Sequence, residues 1–198
     1  MYPEDEFDFY EEEIKRKTIF DNKFVRKTLG WVVQIAVVIL LAWLVAVGFC
    51  HSITMQESSM EPTVNGGETF LVNRVIYKIS SPKRGDIIAF RNSEDENAST
   101  HIKRIIGLPG ETITVQEGQI MINGKTYMEK KSFPTMTNGG LAEAGVTLGK
   151  DEYFVLGDNR NNSEDSRFGD VGNVKAENII GELWFVSGPF DQIGFLKG

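Results

Sequence analysis

A serine, a lysine and a run of alternating charges hold the chemistry available to this chain. Ser59 stands in Ser58-Ser59-Met60-Glu61-Pro62-Thr63, and Lys103 in His101-Ile102-Lys103-Arg104-Ile105-Ile106-Gly107-Leu108-Pro109-Gly110. A third block follows: Gly157-Asp158-Asn159-Arg160-Asn161-Asn162-Ser163-Glu164-Asp165-Ser166-Arg167. A serine hydroxyl is a poor nucleophile until a base takes its proton. Lysine is such a base only when neutral, so its ordinary pKa of about 10.4 must fall to roughly 7–8. Burial in an apolar site without a nearby carboxylate does this, disfavouring the charge by roughly 4 kcal/mol. Lys103 lies among Ile102, Ile105 and Ile106, a suitable setting, and on a strand Arg104 points to the opposite face. By residue type alone, a lone serine in a polar loop is usually just a loop serine and a lone lysine usually solvated, and the charged run could be only a solvated turn.

Other chemistries are poorly served. The only histidines are His51 and His101 and the only cysteine is Cys50, so no metal centre, no metal cofactor and no internal disulfide are expected. A net charge of −7 and a pI near 5.0 argue against a nucleic-acid partner, which demands a concentrated basic face. At 198 residues the chain holds one full domain and an anchor.

The anchor is Trp31 to Cys50, uncharged throughout, with Gln34 its only strongly polar member. Twenty helical residues span roughly 30 Å, the thickness of a bilayer's hydrocarbon core. A removable leader should have a shorter apolar region and end in small residues, whereas Phe49 precedes Cys50 here. Six cations (Lys15, Arg16, Lys17, Lys23, Arg26, Lys27) precede the span, and residues 51 to 70 contain none. The positive-inside rule then puts residues 1–30 in the cytoplasm as a mobile acidic tail and residues 51–198 outside.

Residues 51–198 read as mainly β. Thr69–Val72, Asp86–Phe90, Ile102–Ile106 and Tyr153–Leu156 are short apolar runs bounded by glycine, proline or asparagine. Thr112–Val115 and Gln119–Ile122 flank Gln116-Glu117-Gly118 as a hairpin, Asn123-Gly124 offers a second tight turn, and Asn178–Val186 forms a late strand bent at Gly181. The segment Ser132–Gly149, rich in Thr, Gly and Asn, is the expected mobile loop.

Taken in order, the Ser-Met-x-Pro-Thr block, Arg84-Gly85-Asp86-Ile87-Ile88-Ala89-Phe90, the Lys-Arg-Ile-Ile-Gly-Leu-Pro-Gly-Glu block and the Gly-Asp-Asn-Arg-x-Asn-Ser-x-Asp-Ser-Arg block resemble the type I signal peptidases of bacteria. These are serine proteases with a Ser–Lys dyad and a largely β catalytic fold. The resemblance covers the anchor and most of residues 50–187. It implies Ser59 as nucleophile, Lys103 as general base and Ser163 as the group that hydrogen-bonds and orients the lysine amine. Met60, Val64 and Ile102 would line the substrate pockets, with Met55 a further wall. The Ser59 N–H would form part of the oxyanion hole, and Gly157 would leave room beside the lysine. Asp158, Arg160, Asp165 and Arg167 would hold the site through ion pairs. Lysine at position 103 matches the bacterial rather than the endoplasmic-reticulum type, and His101, two residues away on the same face, would be a pocket wall. The roughly 45 residues between the lysine and aspartate-arginine blocks match compact Gram-positive forms.

One position departs from the pattern. Some members place a serine two residues before the nucleophile, where its hydroxyl completes the oxyanion hole, but this chain has Glu57. That side chain should point to solvent, or the second donor should come from elsewhere.

The expectation is a membrane-anchored endopeptidase that cuts signal peptides from exported preproteins after small-x-small sequences. Its partners would be those preproteins, membrane lipid and the export channel. The alternatives are an inactive relative that binds signal peptides and a repressor-type self-cleaving Ser–Lys protease. The latter is cytoplasmic, so the anchor speaks against it.

Overall fold

The computed structural model describes residues 23–49, 51–92 and 98–196. Residues 1–22 of the expected tail and Cys50 lie outside them. The chain divides between Val47 and Gly48 into two compact units.

The first unit contributes helix α1 (Lys23–Phe49), 27 residues long, so it begins eight residues before the apolar run. Residues 23–47 are long and apolar enough to cross a membrane once, with mean hydropathy 2.5 over the most apolar window. Trp31, Ile39, Leu44 and Val47 are each more than half exposed. A helix apolar on every side belongs in lipid or in a core, and none of this window is covered by protein.

The second unit is built from antiparallel strands. The larger sheet contains β1 (His51–Thr54), β2 (Thr69–Asn73), β3 (Ile87–Arg91) and β4 (Thr100–Gly107). The smaller contains β5 (Thr112–Gln116), β6 (Gln119–Ile122), β7 (Lys125–Thr126) and β8 (Val146–Thr147). The chain then returns to the larger sheet through β9 (Glu152–Leu156), β10 (Val174–Lys175), β11 (Ile179–Gly188) and β12 (Gly194–Phe195). The spatial order is β1-β2-β11-β3-β4-β9-β10, with β12 also on β11, and β7-β6-β5-β8 in the smaller sheet. A single helical turn, α2 (Ile76–Ile79), follows β2, where Asn73 Oδ1 accepts from the N–H groups of Val75 and Ile76.

Burial follows the sequence period. β2 and β5 alternate buried with partly exposed residues, the pattern of a strand with one covered face. β4 is buried at every residue from Ile102 to Gly107, the mark of a central strand covered on both faces. Glu117-Gly118 and Asn123-Gly124 have positive φ at both positions (50° and 75°, 51° and 75°), closing two-residue hairpins of the type that matches strand twist. β11 shifts register against β3 between Ile179 and Gly181, so the expected bend occurs there.

Three apolar clusters fill the unit: one around Phe70, Val72, Ala89 and Leu183, one around Ile88, Phe90, Ile105 and Val155, and one joining the two sheets through Ile106, Phe154 and Ile113. The segment 132–149, expected as a mobile loop, is instead a packed part of the third cluster. Met136, Ala142 and Leu148 are buried there, and Arg167 binds the Asn138 carbonyl while its own carbonyl accepts from Leu141 N–H. Its polar composition reflects backbone turns rather than solvation, since its few apolar side chains do the anchoring.

The smaller sheet is tied to the larger by Arg84, which donates to the Ile106 carbonyl and to Glu111 Oε1 at 2.6 Å. Burial pushes the Glu111 carboxyl upward, but the Arg84 hydrogen bond, the Leu108 N–H and the Arg84 charge outweigh it and hold it below its ordinary value. A carboxyl depressed in the folded state adds stability above its ordinary value of about 4.5, and that stability is lost as pH falls through the folded value. Glu111→Gln is therefore expected to lower stability at neutral pH and to flatten its decline below about pH 4.5. Thermal unfolding of the full chain in detergent across pH measures both.

Candidate active site

Three segments converge at one end of β4. The strand itself supplies His101 and Lys103; the loop between β1 and β2 supplies Glu57 and Ser59; the loop after β9 supplies residues 157–167.

The serine loop is held from below and from the side. Met60 and Val64 are fully buried in the first cluster, and the Met60 carbonyl accepts from Thr63 N–H at 2.9 Å and Val64 N–H at 3.0 Å. Met55 N–H donates to the Glu68 carbonyl at 2.8 Å, while the Glu68 carboxylate accepts from the Asn65 backbone and side chain. From the side, Asn159 N–H donates to the Ser59 carbonyl at 3.0 Å and Asn159 Nδ2 to the Ser58 carbonyl at 3.1 Å. Asn162 Nδ2 reaches Ser58 Oγ at 3.0 Å. Gly157 closes this contact: a Cβ there would overlap the Ser59 carbonyl oxygen and the Ser163 side chain. Its space thus serves the serine loop.

Lys103 Nζ lies 2.7 Å from Ser59 Oγ, and the lysine side chain is 1% exposed. Its second partner is Glu57, whose Oε2 lies 3.2 Å from both Nζ and Ser59 Oγ. Glu57 therefore does not stand clear in solvent. Its other oxygen is 3.5 Å from His101 Nδ1, so His101 and Lys103, two apart on β4, meet the same carboxylate. Burial pushes the Glu57 carboxyl upward, but the charge and hydrogen bond of Lys103, with smaller pulls from His101 and Ser59, hold it below its ordinary value. Ser163 Oγ is buried and makes no hydrogen bond among the described residues, to Lys103 or any other group.

The buried charges of the block are all paired. Arg104 grips Asp158 with two hydrogen bonds of 2.8 and 2.7 Å and also donates to the Gly85 carbonyl. Arg167 does the same to Asp165 at 2.8 and 2.9 Å and reaches the Arg160 carbonyl. Asp165 accepts from Gly157 N–H at 3.0 Å. Arg160 forks onto Glu129 at 2.7 and 2.6 Å, and its guanidinium lies 4.5 Å from the Phe133 ring centre. Buried charges must be paired this fully to be tolerated.

A groove of about 390 Å³ runs beside the dyad, with Thr54, Met55, Glu57, Thr100 and Ile102 among its walls. Ile102 and Met55 thus face it, whereas Met60 and Val64 belong to the core beneath the serine loop. The sequence reading overlooked Asn159, Asn162, Arg104 and Glu129 as supports. The asparagines lie inside the charged block and could have been found there, but Glu129 is 31 residues from Arg160 and carried no signal.

The family model for signal peptidase, peptidase S26, matches residues 28–187. The chain belongs to that family. Signal peptidase I P of Bacillus subtilis subsp. natto is 32% identical over 188 residues, covering 90% of this chain and all of the relative. Signal peptidase I T of Bacillus subtilis strain 168 is 36% identical over 173 residues, covering 83% and 88%. A crystal structure of a signal peptidase I from Enterococcus faecalis V583 is 35% identical, covering 53% of this chain and 98% of that one, with a TM-score of 0.43. Neither the inactive nor the repressor-type alternative is favoured by these relatives.

In enzymes generally, a misplacement of about 1 Å at a reacting group can cost about 100-fold in rate. Gly157→Ala is expected to lose about that much activity while the chain stays folded, read as preprotein cleavage beside thermal unfolding.

Proposed function

We propose that Ser59 and Lys103 carry the signal-peptide cleavage that membership of the family assigns to this protein. The observation that supports this best is the buried Lys103 amine 2.7 Å from the Ser59 hydroxyl, at the lip of a groove. The neutral amine takes the Ser59 proton as Oγ attacks the scissile carbonyl carbon. The ammonium so formed then gives the proton to the leaving amine as the peptide bond breaks. The amine then takes a proton from water as its oxygen attacks the acyl carbon, and the ammonium returns that proton to Ser59 Oγ as the ester bond breaks. The Ser59 N–H stabilises the carbonyl oxygen as it becomes negative, and preorganised donors of this kind are worth about 3–4 kcal/mol each.

The substrate lies extended along the groove, so alternate side chains enter it and small residues are preferred at the first and third positions before the bond. Met55 and Ile102 limit the space, and Met60 and Val64 act from beneath by holding the serine loop. Ser163 orients the lysine once the amine is neutral and free to turn to it. Asp158, Arg160, Asp165, Arg167 and Gly157 keep the two loops in register. Residues 31–50 form the membrane span, with residues 1–30 cytoplasmic and 51–198 outside, because the cations cluster before the span. The partners are exported preproteins, the surrounding lipid and the export channel.

Ser59→Ala and Lys103→Ala are each expected to lower preprotein cleavage by about 10⁶-fold with the fold intact, the scale on which serine peptidases lose activity without nucleophile or base. The assay reads the new N-terminus by mass spectrometry. Full activity in either variant removes that residue from the mechanism. Ser163→Ala is expected to slow turnover by roughly 10- to 100-fold; a wild-type rate makes it part of the scaffold only.

A further inference from the structure

We infer that Glu57 is the counter-ion that holds Lys103 protonated in the substrate-free enzyme, and that its carboxylate must leave the dyad before Ser59 can be deprotonated. This rests on the dyad assignment above and concerns a residue to which that assignment gives no role.

The geometry carries the argument. Glu57 Oε2 lies 3.2 Å from both Lys103 Nζ and Ser59 Oγ, which are themselves 2.7 Å apart. A carboxylate this close to an amine favours the charged ammonium, which has no lone pair for the serine proton. Its second contact competes for that same proton, so the arrangement opposes lysine-base chemistry. Glu57 is itself a poor substitute base, since its carboxyl is held below the ordinary range.

Mobility divides the pair. The Lys103 side chain is 1% exposed and that of Glu57 is 46% exposed, so the carboxylate can turn to water while the lysine cannot. Glu57 also forms part of the groove wall. A peptide backbone laid along that wall excludes water from the triangle and competes for the same space. Once the carboxylate has swung out, Lys103 is left buried without a counter-charge, the condition that favours a neutral amine.

Two titratable groups among the described residues face Glu57, Lys103 and His101, both from β4. The serine loop contributes the Ser59 hydroxyl, and the β1 side of the groove contributes Ser52 and Thr54, which carry no charge. His101, at 3.5 Å from Oε1, is placed to hold the far oxygen.

The test is the pH profile of kcat/KM for a purified preprotein, between about pH 6 and 11, using the full chain in detergent. Wild type is compared with Glu57→Gln, Glu57→Ser and Lys103→Ala, each checked by thermal unfolding. The acid limb reports the base in the free enzyme. An opposite charge within 4–6 Å moves such a limb by roughly one to three pH units. Both Glu57 variants are expected to shift the acid limb downward by about one unit or more, giving at least about tenfold faster cleavage on that limb, with the alkaline limb unmoved. A merely structural role would not displace one limb alone. Profiles that coincide with wild type, or activity lost at every pH in both folded variants, overturn the inference. If wild type fails to cleave, or Lys103→Ala cleaves at the wild-type rate, the dyad assignment falls and takes this inference with it. Wild-type cleavage that Lys103→Ala abolishes, with unshifted Glu57 profiles, removes the inference alone.

Discussion

A lysine amine buried inside a β-sheet is the constraint around which this domain is arranged. Lys103 sits on β4, a central strand covered on both faces, where a charged group is costly unless partnered. Every nearby segment responds to that cost. The serine loop brings a hydroxyl and a carboxylate, β3 lines the approach with Ile88 opposite the lysine, and the loop after β9 presses the serine loop inward.

Holding two loops against one strand end needs rigid supports, and beside the apolar anchors Met60 and Val64 these are charged. Arg104, the neighbour of Lys103 on β4, turns to the other side and clamps Asp158, so adjacent residues of one strand address two parts of the same site. Asp165 and Arg167 close the loop on itself, and Arg160 reaches across to Glu129. Each pair is bidentate, and the Asp158 and Asp165 pairs are buried on both sides, the geometry in which a guanidinium fixes direction as well as charge. Phe133 lies near both Arg104 and Arg160, joining the clamps through a ring face. The smaller sheet is anchored by Arg84 and by the apolar cluster it shares with β4 and β9.

Much of this was legible in the chain. Hydrophobic period marked β2, β3, β4, β5, β6, β9 and β11, and positive-φ turns announced themselves as Glu-Gly and Asn-Gly pairs. The short strands β1, β7, β8, β10 and β12 went unseen, because four of them have only two residues and β1 has a single apolar one, too little pattern to register. The segment 132–149 was misjudged for a related reason: three buried apolar side chains among many polar ones are enough to pack it, and composition averages them away.

The sequence by itself determined the apolar span, the β class, the order of the chemical blocks and the family they mark, because these depend on local pattern and on residues close together in the chain. Which groups meet around Ser59 was decided only by the tertiary structure. Lys103 and His101 share the Glu57 carboxylate because a loop folds back 46 residues onto a strand end. The partners of Arg104 and Arg160 lie 54 and 31 residues away. Side-chain pairing over such distances follows from strand order and register, which no local pattern encodes.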